Sequence, residues 1–246
     1  MAYKPFDLDF GPEPQFITSN DRASRRRDRS FDRTAPKAIA TPALTAAVLR
    51  VIDVAIALAA LIVFLPLMAI IAVLIRATSG GPVLFRQRRL GCHGEIFICY
   101  KFRTMHQNAD LLLSKLLAEC AQSRAEWQRD QKLRRDPRVI KIGAFLRKAS
   151  LDELPQLFNV LKGEMSIVGP RPIVPSEAEK YGRYIAHYYA VRPGITGLWQ
   201  VSGRNGTSYR RRVACDVLYS RQQSATTNMG IILRTIPVVL GADGAF

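Results

Sequence analysis

The chain has 246 residues, 48% of them apolar and 23% charged, which excludes wholesale disorder and suffices for one domain with a core plus a separate segment. Lys and Arg number 36 against 20 Asp and Glu, a formal charge of +16, and that excess points to an anionic partner: nucleic acid, an anionic membrane surface or a phosphorylated substrate. The four cysteines, Cys92, Cys99, Cys120 and Cys215, are too scattered for a close metal-ligand pairing or a small disulfide scaffold, so a reducing, cytoplasmic setting is expected.

Residues 1–42 carry Asp, Arg, Ser, Pro and Asn with few large apolar side chains and read as a disordered arm. Eight basic residues there nearly cancel six acidic ones, whereas 77–246 holds 26 basic against 13 acidic, so the basicity belongs to the C-terminal domain. From Val51 to Ile75 the sequence is apolar except for Asp53. As a straight helix this run would reach roughly 38 Å, longer than a hydrocarbon core of ~30 Å, and it is read as a membrane segment spanning 43–76. Lys37 and Arg50 lie before it and Arg76, Arg86, Arg88 and Arg89 after it, so the positive-inside rule gives neither end a preference for the outside. Pro66, near the middle, removes an N–H and crowds the carbonyl of Ile62, which permits a break and a return to the same face. A tilted single span with a tolerated proline is the competing reading, and residue physics leaves the two about even.

Beyond it, Pro82 to Gln87 and Glu95 to Phe102 are short β-rich runs joined by a Gly-containing turn, a hairpin by pattern. Helical composition marks Asn108 to Gln131, Leu151 to Leu161, Ser176 to Tyr189 and Thr207 to Tyr219, with Pro/Gly punctuation at 169–172 and 193–197. The expected class is α+β: an N-terminal re-entrant membrane helix, then a helix-rich cytoplasmic domain over 77–246 with a small β-hairpin or sheet.

Arg147 to Gln156 reads RKASLDELPQ and concentrates the candidates for chemistry. Ser150 with Glu153 three residues on is the pattern of a capping box, which by itself explains both residues. The functional alternative is that adjacent Asp152 and Glu153 divide labour, one as nucleophile or base and the other holding a hard divalent cation, with Arg147 balancing charge. Gly169-Pro170-Arg171-Pro172 presents a stiffly held guanidinium between two prolines. Arg192 to Gly197 and Ser202 to Gly206 are Gly-bearing loops whose N–H groups could approach a diphosphate, although such loops are more often plain turns. Lys101 and Arg103 end the second β run. His93, His106 and His187 are too dispersed for a metal cluster, and Tyr181, Tyr184, Tyr188 and Tyr189 have helical spacing that favours packing. No helix-turn-helix, zinc finger or RNA-binding motif accompanies the basic patches, so nucleic acid is not expected as a partner.

Taken in order, the membrane segment with its central proline, Gly80-Gly81-Pro82-Val83-Leu84-Phe85-Arg86-Gln87, Tyr100 to Met105, Asp136-Pro137-Arg138, Leu146 to Gln156, Gly163 to Pro172, Arg192 to Gln200 and Val201 to Asn205 resemble the bacterial sugar transferase family, the monotopic phosphoglycosyl transferases. The resemblance covers about residues 45 to 241. It implies transfer of a hexose 1-phosphate, galactose or glucose, from a UDP-sugar to undecaprenyl phosphate with release of UMP, as the first step of exopolysaccharide assembly. It further implies a re-entrant helix at the cytoplasmic face of the inner membrane and Mg²⁺ as cofactor. The family's Asp-Glu dyad falls on Asp152 and Glu153, with Asp152 forming a covalent phosphosugar intermediate and both carboxylates available to the metal. Lys101, Arg103, Arg147, Arg171 and Arg204 are the cations expected at phosphates or nucleotide, and self-association is plausible. Two departures stand out: Leu65 where Ser is frequent, and a polar Ser220 to Asn228 where the family favours a more apolar, Trp-containing stretch. The rival reading is a membrane-tethered anion-binding or scaffold protein with this fold and no turnover.

Overall fold

A computed structural model describes residues 42–130, 133, 136–203 and 208–240. The arm expected over 1–42 therefore lies outside the described residues except for Pro42. Helix α1 runs from Ala43 to Ser79, three residues beyond the expected end, and stops where Gly80 turns at φ +59. Pro66 sits inside this helix, which is continuous through it, so the proline does not end the helix. Among the described residues α1 is the one helix long and apolar enough to cross a membrane.

Both halves of α1 are fastened to the same body. In the first half the Arg50 guanidinium donates to the carbonyls of Val160 (2.5 Å) and Leu161 (2.9 Å), and Asp53 accepts from Ser166 Oγ and the Ile167 amide, both at 2.9 Å. Asp53, the lone charge in the apolar run, is thus buried against protein. Ala57 joins the main core with Leu157, Val160 and Val168. In the second half Met68, Ile71 and Ile75 pack on Phe102 and Leu146. The opposite side of the helix is exposed along its length, at Val51, Ile62, Val63, Leu65, Ile70 and Val73.

The hairpin forms as its alternation predicts: β1 (Leu84–Leu90) pairs antiparallel with β2 (Ile96–Phe102), Gln87 opposite Cys99. Phe97 and Cys99 face the main core while Ile96 and Ile98 face out, and Phe102, on the same face as Ile96 and Ile98, is buried at the strand's end against α1. The helix expected over 108–131 is divided at Cys120, which takes extended backbone between α2 (Ala109–Glu119) and α3 (Ala121–Asp130). Next comes α4 (Lys141–Lys148), which no sequence signal had marked.

The stretch read as one helix from Leu151 is a single 3₁₀ turn, Leu151–Glu153, followed by α5 (Gln156–Lys162). The interruption comes with Pro155, which takes the N-cap position of α5 and cannot donate a backbone bond. Strand β3 (Ser166–Val168) pairs in parallel with β4 (Gly194–Thr196), a two-stranded sheet absent from the sequence reading. The segment expected as a helix over Ser176 to Tyr189 divides into 3₁₀ geometry over Pro175–Tyr184, kinked at Gly182 (φ +49), and a short α6 (Ile185–Tyr189). Its tyrosines pack as expected, Tyr181, Tyr184 and Tyr188 forming a second core with Val213 and Val217. Helix α7 (Tyr209–Gln222) starts under Ser208, whose side chain caps the Arg211 amide, and α8 (Ala225–Leu240) follows.

Candidate active site

Asp152 and Glu153 are held by a backbone that departs from ordinary helix geometry. Ser150 has left-handed φ of +56 and its side chain caps nothing, so the capping-box reading is corrected. Glu153 instead reaches across the fold: Lys101 Nζ, at the end of β2, lies 2.5 Å from Glu153 Oε1 and 4.0 Å from Asp152 Oδ2. The register that delivers Lys101 is fixed by Asn159 of α5. Its amide accepts from the Tyr100 N–H (3.1 Å) and donates to the Ile98 carbonyl (2.7 Å), tying the exposed edge of β2 to the helix behind the dyad. Arg171 Nη1 stands 3.9 Å from Glu153 Oε1.

The two carboxyls are driven apart electrostatically. Burial is the largest influence on Asp152 and raises its pKa; Glu153 adds to the rise, and Lys101 and Arg147 offset only part of it. Burial also pushes Glu153 up most strongly, yet Lys101, Arg171 and Arg89 together hold it below its usual value. Glu153 is thus the settled anion and Asp152 the more basic, less engaged one. A pair of titratable groups whose surroundings separate their pKa values in this way is the pattern of divided roles.

The dyad opens on a cavity of about 2430 Å³ lined by Lys101, Arg147, Arg171 and Arg212, with Phe64 of α1 and Val238 of α8 also on its wall. Arg147 donates from Nε to Thr104 Oγ1 (2.8 Å) and is close enough to Asp152 to lower its pKa. Arg103 lines the cavity as well, but its guanidinium turns to the C-terminal end of α1, donating to Ser79 Oγ (2.7 Å) and the Gly80 carbonyl. It is therefore not brought to the dyad, because the Ser79 hydroxyl and the Gly80 carbonyl claim it. Arg204 lies outside the described residues.

In the loop at 192–197 the Gly194 amide is already engaged within the fold. Gly194 N–H is donated to Pro170 O and Gly169 N–H to Thr196 O, both at 2.8 Å, so these amides serve the β3–β4 sheet. A Cβ on Gly194 would overlap the Gly169 backbone, which accounts for the glycines without any ligand. Sequence reasoning gave no role to Arg138, which is buried, bound to both oxygens of Asp136 and on the cavity wall, nor to Trp199, Gln200 and Arg212. Asp136-Pro137-Arg138 was visible as a motif; Arg212 carried no local signal.

Among the described residues no group of three or more His, Cys, Asp and Glu could hold a metal ion. Two adjacent carboxylates beside a cavity rich in cations do fit a hard divalent ion whose remaining ligands are water and substrate phosphate oxygens, the habit of Mg²⁺.

The bacterial sugar transferase family description matches residues 44–242. The chain belongs to this family. Similar members include an undecaprenyl-phosphate galactose phosphotransferase of Salmonella typhimurium, 47% identical over 197 residues that cover 80% of this chain and 41% of that protein. The exopolysaccharide production protein ExoY of Rhizobium meliloti is 45% identical over 197 residues, 80% of this chain and 87% of that one. A UDP-glucose:undecaprenyl-phosphate glucose-1-phosphate transferase of Caulobacter vibrioides is 42% identical over 205 residues, 80% and 71% of the two chains. Sugar transferases thus occur in this family in longer and shorter forms, and the chain spans about two fifths of the Salmonella protein.

Proposed function

We propose that the chain transfers a hexose 1-phosphate from a UDP-sugar to undecaprenyl phosphate, releasing UMP, at the cytoplasmic face of the inner membrane, as the opening step of exopolysaccharide assembly. The observation that carries this reading is the unequal dyad. Lys101 sits 2.5 Å from Glu153 and 4.0 Å from Asp152, whose pKa burial raises, so Asp152 is the better nucleophile of the two. Similarity to galactose and glucose phosphotransferases supports the substrate class.

In the first half-reaction an Asp152 oxygen attacks the sugar-bearing phosphorus; the bond from that phosphorus to the bridging oxygen breaks, and UMP departs with the electron pair. In the second, a phosphate oxygen of undecaprenyl phosphate attacks the same phosphorus and the carboxylate of Asp152 leaves, giving the diphosphate-linked lipid sugar. Lys101, Arg147 and Arg171 meet the charge that builds on the phosphoryl oxygens. Glu153 holds Lys101 in place, and with Asp152 would hold Mg²⁺, which when bound neutralises diphosphate charge.

Re-entry of α1 is supported by its contacts: Arg50 and Asp53 near one end and Ile75 near the other meet one body, while Val51, Ile62, Val63, Leu65, Ile70 and Val73 are exposed along the helix and suited to the bilayer. The exposed Met229, Leu233 and Ile236 of α8 give the C-terminal end an apolar face despite the polar segment before it.

Protein purified in detergent and given Mg²⁺, undecaprenyl phosphate and UDP-galactose or UDP-glucose is expected to release UMP, and Asp152→Asn to lower that release by about 10³-fold or more. Undiminished release in the variant would remove Asp152 from the nucleophile role. No release across a broad panel of nucleotide sugars would favour the scaffold reading.

A further inference from the structure

Thr104 lies two residues past the end of β2 and is 7% exposed, and three parts of the chain meet on it. Its carbonyl accepts the Ile140 N–H (3.0 Å), and the His106 N–H goes to the Arg138 carbonyl (2.8 Å), so 104–106 and 138–140 run antiparallel with Met105 opposite Val139. This pairing delivers the chain to α4, whose N-cap is Ile140. Gly143, in the first turn of α4, sits directly on the Thr104 backbone: a Cβ there would collide with the Thr104 carbonyl and Cα, so only a hydrogen fits. The residue four places on shares that helical face, and its side chain leans back over the preceding turn. It is Arg147, whose Nε donates to Thr104 Oγ1 at 2.8 Å.

The grip at Nε leaves the fork of the guanidinium over. Arg147 is half-buried, lines the active-site cavity and makes no other hydrogen bond among the described residues. Its terminal nitrogens are not sealed in the fold, unlike Nε and Nη1 of Arg103 on the same wall. Asp136 is the carboxylate that could have closed on Arg147, but Arg138 takes both of its oxygens at 2.6 to 3.0 Å. Of the charges acting on Arg147, that of Asp152 acts most strongly. A fork pinned through Nε, with two donors unclaimed beside the attacking carboxylate, matches the paired oxygens of a phosphate.

We propose that Thr104 is a positioning residue, its hydroxyl holding Arg147 by Nε so that both terminal nitrogens meet the sugar-bearing phosphate at Asp152. This rests on the UDP-sugar reading above, but it is readable in binding without turnover. Lacking the hydroxyl, Arg147 keeps its charge and loses its direction, and ligand binding then carries the cost of ordering a long side chain.

The test is equilibrium binding of UDP, with Mg²⁺ present, to the detergent-solubilised full chain, with UMP release followed in parallel. Thr104→Val keeps the shape and removes the acceptor, and is expected to weaken UDP about fivefold or more. Thr104→Ser keeps the hydroxyl and should stay within about twofold of the unmodified protein. Because Thr104 acts through Arg147, adding Thr104→Val to Arg147→Met should weaken UDP no further than Arg147→Met alone, whereas a merely structural threonine would cost the same in either background. Equal UDP affinity in the unmodified and Thr104→Val proteins would overturn the proposal. So would a Thr104→Ser protein as weak as Thr104→Val, or additive losses in the double variant. The expected binding pattern with no UMP release from any donor would uphold the positioning role and reject the transferase reading; UMP release with normal UDP binding in Thr104→Val would do the reverse.

Discussion

Two clusters of carboxylates and guanidinium groups lie on either side of Arg171, and they are built in opposite ways. Around Asp152 and Glu153 one contact is tight, two are near 4 Å, and all face an open cavity. Around Asp216 everything is closed: Tyr181 donates its hydroxyl to Asp216 Oδ2 at 2.7 Å, and the carboxyl is 2% exposed. Burial dominates there and pushes Asp216 up to about 7 despite Arg212 beside it. The first cluster leaves its cations facing open space, whereas in the second a buried Asp216 that holds its proton is tied to Tyr181, and Arg212 turns to Glu177.

The largest effect expected from breaking this contrast is at Lys101. Lys101→Met removes the cation that Glu153 holds and that draws Asp152 downward, so UMP release should fall about 10²-fold. Asp152 must be ionised to attack, so activity is lost as pH falls through its raised pKa. Without Lys101 that pKa rises further, and the acid limb of the pH–rate profile should move to higher pH. An unmoved acid limb would separate Lys101 from Asp152.

A smaller effect, on stability, belongs to the closed cluster. Asp216 has a folded pKa of about 7 against an ordinary 3.8. Between these values the folded chain keeps a proton that the unfolded chain has released, so stability falls as pH rises through that window, by at most about 4 kcal/mol. Asp216→Asn cannot titrate, and the difference in thermal midpoint between pH 5.5 and pH 8 should shrink in the variant. Parallel behaviour of the two proteins would show that Asp216 does not titrate in this range. The smallest effect is at Ser150: because its hydroxyl caps no amide, Ser150→Ala should cost under about 0.5 kcal/mol in chemical unfolding, where a true N-cap would cost ~1.

The hairpin and the dyad were readable because each rests on local signals, alternation in one case and a dense run of charged residues in the other. Strands β3 and β4 were not, since three residues each are too few to show a period, and their pairing joins Ser166 to Gly194 across a long interval of chain. Cys120 ends α2 with neither Gly nor Pro to announce it. The capping-box reading of Ser150 failed for a similar reason: Lys101, 52 residues away, outcompetes a local amide for Glu153. Trp199 and Gln200 stood within a recognisable motif, but only the fold brings Arg212 alongside them.

The apolar helix at the start of the described chain is a wall of the domain as well as its tether. Arg50 satisfies the last carbonyls of α5 and Asp53 grips the start of β3, so deleting the helix would strip partners from the two elements that back the dyad. Solubility gained by trimming the protein to its polar part would come at the expense of catalysis, and lipid or detergent belongs in any preparation meant to turn over.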